Sequence, residues 1–133
     1  MCGITGIFAF NLVGKFNMIN LAAATKALER RGPDHQGLYS DSFVGLGHRR
    51  LSIIDTSAAA NQPMWDEPGR YSIIFNGEIF NFQELRKELE VKGISFSTHS
   101  DTEVLLLLVI NTKGKKAIKF VKTFFFFNTI KLE

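Results

Sequence analysis

Hydrophobic and polar positions fall into short blocks along this chain, and the period of each block predicts an element. Ile4, Ile7, Phe8 and Phe10 make a β-rich run that starts almost at the chain end and is closed by Asn11. An Ala-rich stretch over 18–30, with Ile19, Ala22, Ala23, Lys26 and Leu28, predicts a helix that Gly32 and Pro33 stop. Strands are expected over 37–40 and 43–50, followed by a long connection over 55–69 and a strand at Tyr71–Phe75. Asn76-Gly77 is the dipeptide that best tolerates positive φ, which marks a turn before Ile79. Asn81 followed by Glu84 reads as a capping box opening a helix whose Phe82, Leu85 and Leu89 share one face, ended by Gly93. A brief strand over 94–97 precedes a second capping box, Ser100-Asp101-Thr102-Glu103, and a helix through 104–110. That last helix is apolar nearly all round, which predicts burial, and it is shorter than the about 20 residues a bilayer requires.

The tail differs in kind. Residues 113–122 are Lys-rich, and Phe124-Phe125-Phe126-Phe127 is an uncharged run that reads as a strand, prone to association unless paired and covered. At 133 residues, 45% hydrophobic and 22% charged, the chain has the make-up of one globular domain able to bury roughly two-thirds of its unfolded surface. Neither disorder nor a collagen-like fibre fits that composition. The formal charge of +3 suggests a basic protein until it is divided: residues 1–110 carry 10 Lys+Arg against 12 Asp+Glu, and residues 111–133 carry 6 against 1. A balanced body argues against a nucleic-acid partner. A lone cysteine excludes an internal disulfide, and no His/Cys cluster has zinc spacing, so no metal is expected. Gly3, Thr5 and Gly6 interrupt the first apolar run, which is unlike a secretory signal. A cytoplasmic setting without a membrane partner is the expectation.

Cys2 stands directly after Met1, and removal of Met1 would put a free α-amine on the residue that carries the thiol. Such an amine, with a pKa of about 7.7–8.0, is a base able to accept the thiol proton, so nucleophile and base become one residue. The plainer reading of a lone cysteine is an inert buried side chain, and position alone favours it. Acyl transfer from a carboxamide needs donors aimed at a developing oxyanion, which the Asn76 side-chain amide and the Gly77 N–H offer at one turn. The same dipeptide also serves as a simple hairpin turn. A substrate carrying an α-carboxylate and an α-ammonium calls for a fork-shaped cation and one or two carboxylates, residue types that Arg50, Glu78 and Asp101 supply. Against this, Arg49-Arg50 also reads as a solvated charge pair and Asp101 as a neighbour of a helix cap.

The motifs in combination decide between these readings. Met1-Cys2-Gly3-Ile4, Arg31-Gly32-Pro33-Asp34, His48-Arg49-Arg50-Leu51-Ser52-Ile53-Ile54-Asp55, Asn76-Gly77-Glu78-Ile79-Phe80-Asn81 and Ser100-Asp101-Thr102-Glu103 follow one another in an order and spacing that resembles the glutaminase domain of glutamine-hydrolysing asparagine synthetases. The resemblance covers about residues 1–110. It implies the α+β fold of N-terminal-nucleophile hydrolases, a four-layer sandwich of two antiparallel sheets between helices, with the nucleophile at the start of a central strand. It also implies that Cys2 attacks the side-chain amide of L-glutamine and that Asn76 and Gly77 form the oxyanion hole. Arg50 would hold the substrate carboxylate and Glu78 and Asp101 its ammonium, with Leu51, Ser52, Ile53 and Ile54 lining the pocket. The implied reaction yields glutamate and ammonia through a Cys2 thioester, for amidation of an acceptor such as aspartate. Relatives in surface-polysaccharide biosynthesis use the same domain on other acceptors.

Members of that family continue into a domain that binds ATP and Mg, marked by a Ser-Gly-Gly-x-Asp-Ser loop that is not found in these 133 residues. The expectation is therefore a partial type 2 amidotransferase domain over 2–110 with a divergent Lys/Phe-rich end over 111–133, incomplete at its C-terminus. It would hold no cofactor of its own and would pass ammonia to a separate synthetase chain. Residues 114–123 faintly follow the family's next helix, but Lys122-Thr123-Phe124-Phe125-Phe126-Phe127 stands where relatives have Asn-Gly-Met-Phe-Ala-Phe. An inactive remnant or a binding domain is the alternative.

Overall fold

The structure, a computed structural model, describes residues 1–112, 121, 123–124 and 127–131. In chain order its elements are β1 (Gly3–Phe8), α1 (Leu12–Asn17), α2 (Leu21–Lys26), β2 (His35–Ser40), β3 (Val44–Arg50), β4 (Met64–Trp65), β5 (Tyr71–Phe75), β6 (Glu78–Ile79), α3 (Phe82–Val91), α4 (Asp101–Asn111), β7 (Thr123–Phe124) and β8 (Phe127–Lys131), with 3-10 turns at Met18–Asn20 and Ala58–Ala60. The class is α+β. Two three-stranded antiparallel sheets run in the orders β1-β3-β2 and β4-β5-β8, and β6 pairs with β7.

Register determines what meets at the end of the first sheet. Gly3 pairs with Arg49 and His35 with Arg50, so Cys2, Asp34 and Arg50 leave the sheet at one edge. All seven residues of β3 are buried, because both of its faces are covered. Thr25 of α2 lies over Gly47, where a Cβ would overlap the hydroxyls of Thr25 and Thr5. Those hydroxyls bond each other at 2.6 Å, and Thr25 also donates to the Leu21 carbonyl at 2.7 Å. On the opposite face Val44 and Leu46 pack against Ile74 of β5. The period of two then turns Ile73 and Phe75 the other way, into a core with Leu85 and Leu89 of α3 and Val104, Leu105, Leu106 and Leu108 of α4. The packing order is α2, first sheet, second sheet, α4. Each fully buried Leu or Ile side chain in that core contributes about 1.5–3 kcal/mol.

Several expected elements differ. The helix expected over 18–30 is broken: α2 covers only Leu21–Lys26, and the chain continues to Gly32 in tight turns such as Leu28 N–H to Thr25 O at 3.1 Å and Arg31 N–H to Leu28 O at 2.9 Å. α1 was not foreseen; Asn11, read as the end of a strand, is its N-cap, with its side chain accepting from Gly14 N–H at 2.8 Å. Residues 94–97 form no strand, because the Glu103 carboxylate takes the N–H groups of Ser97 and Thr98 at 2.8 and 2.7 Å, leaving them nothing to donate to a neighbouring strand. Glu103 is thereby withdrawn from a reciprocal box with Ser100, although Ser100 still caps α4 by accepting from Thr102 N–H at 3.1 Å. Asn81 makes no side-chain cap bond. Asn76-Gly77 is not a hairpin turn: β5 and β6 belong to different sheets, and among the described residues Gly69 and Gly93 are the glycines with positive φ. The Phe-rich end contributes β8, which pairs along all of β5, while the helix suggested over 114–123 lies outside the described residues apart from positions 121 and 123. No helix among the described residues is long and apolar enough to cross a membrane.

Candidate active site

A cavity of about 240 Å³ opens where β1 begins and β3 and β5 end. Nine of the ten residues singled out in the sequence line it: Cys2, Arg50, Leu51, Ile53, Ile54, Asn76, Gly77, Glu78 and Asp101. Ser52 does not, and its N–H instead donates to Asp34 Oδ2 at 2.7 Å. Met1, Asp55, Gln62, Phe80 and Thr102 complete much of the wall without having been anticipated.

Cys2 is held by backbone. Its Sγ accepts from Leu51 N–H at 3.3 Å and donates to the Leu51 carbonyl at 3.7 Å, so the sulfur is pinned where β3 passes into the 51–61 loop. The Arg31-Gly32-Pro33-Asp34 segment fixes this end of the sheet. Arg31 Nε donates to the Cys2 carbonyl at 3.1 Å, and Asp34 N–H donates to the Arg50 carbonyl at 3.0 Å. Gly32 lies flat on β3, where a Cβ would overlap the Arg49 carbonyl. Arg49, far from being a solvated charge, is buried and donates to Gly32 O at 2.8 Å and to Gln36 Oε1 at 3.2 Å, with Glu29 at 3.4 Å as its ion-pair partner.

Arg50 is also buried, and both terminal nitrogens of its fork are already engaged. Nη1 donates to Ser57 O at 2.8 Å and to Asn61 Oδ1 at 2.7 Å, while Nη2 donates to the Asp55 carbonyl. The guanidinium thus shapes the 51–61 loop as well as facing the cavity. Asp55 ties the same loop to the approach to α4, accepting from Ser57 N–H and His99 N–H at 2.8 Å each. Hydrogen bonds from the Ser57 side chain, His99 N–H and Ser57 N–H hold the Asp55 carboxyl down at a pKa of about 2.

The opposite wall is built from the end of β5 and the start of α4. Phe75 is gripped at both ends of its backbone: its N–H donates to Gln62 Oε1 at 2.5 Å and its carbonyl accepts from His48 Nε2 at 3.2 Å. Asn76 and Gly77 follow directly. His48 is fully buried, with no partner for Nδ1 among the described residues, and burial pushes its pKa down to about 4. Asp101 accepts from Ile79 N–H at 3.1 Å; burial, with Glu78 as a lesser contributor, raises its pKa. A buried carboxylate facing a cavity beside a second carboxylate is poised to take a cation. Gln62, Asp55, Arg31 and Asp34 were missed as site residues because they act mostly on backbone groups; the Arg31-Gly32-Pro33-Asp34 motif and the one that ends at Asp55 touched all of them but Gln62.

The sequence profile of a family described as glutamine amidotransferase domain matches residues 1–131. Asparagine synthetase [glutamine-hydrolyzing] 1 of Bacillus subtilis is 44% identical over 126 residues, covering 90% of this chain and 19% of that protein. Asparagine synthetase B [glutamine-hydrolyzing] of Escherichia coli is 36% identical over 108 residues, covering 81% of this chain and 19% of that protein. A putative asparagine synthetase [glutamine-hydrolyzing] 2 of Methanocaldococcus jannaschii is 37% identical over 140 residues, covering 90% and 25%. The chain spans about a fifth to a quarter of the length of these relatives.

Proposed function

The chain belongs to the glutamine amidotransferase domain family, and we propose that it hydrolyses L-glutamine to glutamate and ammonia with Cys2 as nucleophile, for amidation of an acceptor such as aspartate. What carries this reading is one cavity lined at once by Cys2, a buried arginine, two carboxylates and the Asn76-Gly77 segment. With Met1 removed, the Cys2 α-amine takes the thiol proton, and the thiolate attacks the side-chain carbonyl carbon of glutamine. The oxyanion is stabilised by the Asn76 side-chain amide and the Gly77 N–H, donors worth about 2.7–4 kcal/mol each in such sites. The α-ammonium returns its proton to the departing nitrogen, ammonia leaves, and a glutamyl thioester remains. Water, losing a proton to the amine, opens the thioester and frees glutamate.

Substrate recognition follows from charge: Arg50 pairs with the α-carboxylate, and Asp101 and Glu78 with the α-ammonium. Leu51, Ile53 and Ile54 border the substrate's methylene chain, with Ser52 shaping the loop from behind. The packing order of α2, two sheets and α4 is read as the layering of N-terminal-nucleophile hydrolases. On this reading residues 2–110 carry the glutaminase and 111–133 its divergent end, in a reducing, cytoplasmic setting. ATP and Mg would serve a synthetase portion, in this or another chain, that consumes the ammonia.

The test is glutamate release by purified protein whose amino terminus is defined by mass spectrometry. Protein lacking Met1 is expected to be active and Cys2→Ala inactive. Turnover that survives Cys2→Ala, or full activity with Met1 in place, would overturn the assignment.

A further inference from the structure

Gln62 lies between the Ala58–Ala60 turn and β4 with its side chain buried at 6% exposure. Its amide makes two contacts across the cavity wall: Oε1 accepts from Phe75 N–H at 2.5 Å, and Nε2 donates to Thr102 Oγ1 at 3.2 Å. Phe75 immediately precedes Asn76, the proposed oxyanion donor. Thr102 immediately follows Asp101, the proposed ammonium partner, in the first turn of α4. One side chain therefore spans the two segments between which a bound amino acid would stretch, from its charged head to its reacting amide.

We propose that Gln62 is a positioning residue that sets the distance between the head-group subsite and the oxyanion donors, and so selects substrates by chain length, favouring glutamine over the one-methylene-shorter asparagine. The inference rests on the glutaminase reading above. Its logic is geometric: misplacing a reacting carbon by an ångström costs about 100-fold in rate, whereas a methylene in an apolar pocket is discriminated only about 10–200-fold. A rigid spacer sharpens that selection, and a relaxed one blunts it. A role confined to stability would slow both substrates equally.

The experiment compares two diazoketone amino acids that alkylate an active-site thiol, one of glutamine length (6-diazo-5-oxo-L-norleucine) and one of asparagine length (5-diazo-4-oxo-L-norvaline), with Cys2 labelling rates read by mass spectrometry. Wild-type protein is expected to favour the longer reagent. Gln62→Leu, which loses both contacts, should reduce the ratio of the two rates about tenfold. Thr102→Val, which cuts only the α4 link, should reduce it less. Gln62→Glu should keep the wild-type ratio, since a carboxylate accepts from Phe75 N–H and from the Thr102 hydroxyl alike. An unchanged ratio in Thr102→Val, with or without a folded Gln62→Leu, overturns the inference while leaving the glutaminase intact. Wild-type protein, lacking Met1, that neither reagent labels refutes the glutaminase itself, and this inference with it.

Discussion

The Arg50 guanidinium donates to Asp55, Ser57 and Asn61 from inside the protein, and a lysine there would keep the charge but not the planar fork that reaches three acceptors. Hydrogen bonds from a charged donor contribute about 1.5–3 kcal/mol each. Arg50→Lys is therefore expected to lower both the melting temperature and glutamine affinity, the latter at least about tenfold; a lysine variant with normal affinity and stability would count against the double role. Asp101 presents the opposite balance. Burial raises its pKa, so its contribution to folding is favourable below its unfolded pKa and is lost as pH rises through the folded value, leaving the ionised group a cost near neutrality. Asp101→Asn, which retains an acceptor for Ile79 N–H, is expected to raise the melting temperature without ligand and to abolish the extra stabilisation that glutamine gives. The wild type should lose glutamine affinity as pH falls through that raised pKa, above the range of an ordinary aspartate. A thermal-shift series with and without glutamine reads all of these outcomes.

At the level of elements, the start of α4 rests on two devices of unequal strength. Ser100 caps one N–H, and loss of such a cap costs about 1 kcal/mol. Glu103 satisfies three donors, the N–H groups of Ser97 and Thr98 and the Thr98 hydroxyl at 2.6 Å, and leaving buried donors unmet costs about 1–3 kcal/mol each. Glu103→Ala should accordingly destabilise the protein more than Ser100→Ala, measured by urea unfolding. The same pair shows what the sequence could and could not tell. Ser-x-x-Glu correctly marks a helix start, but the pattern does not say that the glutamate will turn back to the preceding loop, and so the sequence predicts at 94–97 a strand that the structure lacks. Tyr71–Phe75 was legible because a five-residue run of β-branched and aromatic residues broken only by Ser72, between turn signals, has few other readings. The site residues were legible through ordered motifs. Gln62 was not, and Asp55 closed one of those motifs without its bonds being readable there, since a side chain that binds backbone elsewhere leaves no period in the sequence. Likewise, the turn propensity of Asn76-Gly77 says nothing about which sheet receives the strand on either side.

Across the whole molecule, His48 joins the two sheets by donating to Phe75 O. With a folded pKa of about 4 against 6.5 for the free group, it resists a proton that the unfolded chain accepts. The stability this provides is complete above pH 6.5 and declines as pH falls toward 4, by on the order of 3 kcal/mol. His48→Gln, able to donate to the same carbonyl without titrating, should flatten the fall of melting temperature over that interval; an equally steep fall in the variant would exclude His48 as its source. The pairing of β8 with β5 has a consequence in time. The sheet that carries Cys2 is complete in sequence by residue 50, whereas β5, which leads into Asn76, waits for its neighbour at 127–131. At about 5–20 residues per second, synthesis separates the two by several seconds. The amino terminus is thus made early and enclosed late, and any trimming of Met1 can occur on a growing chain, before the second wall of the cavity has arrived.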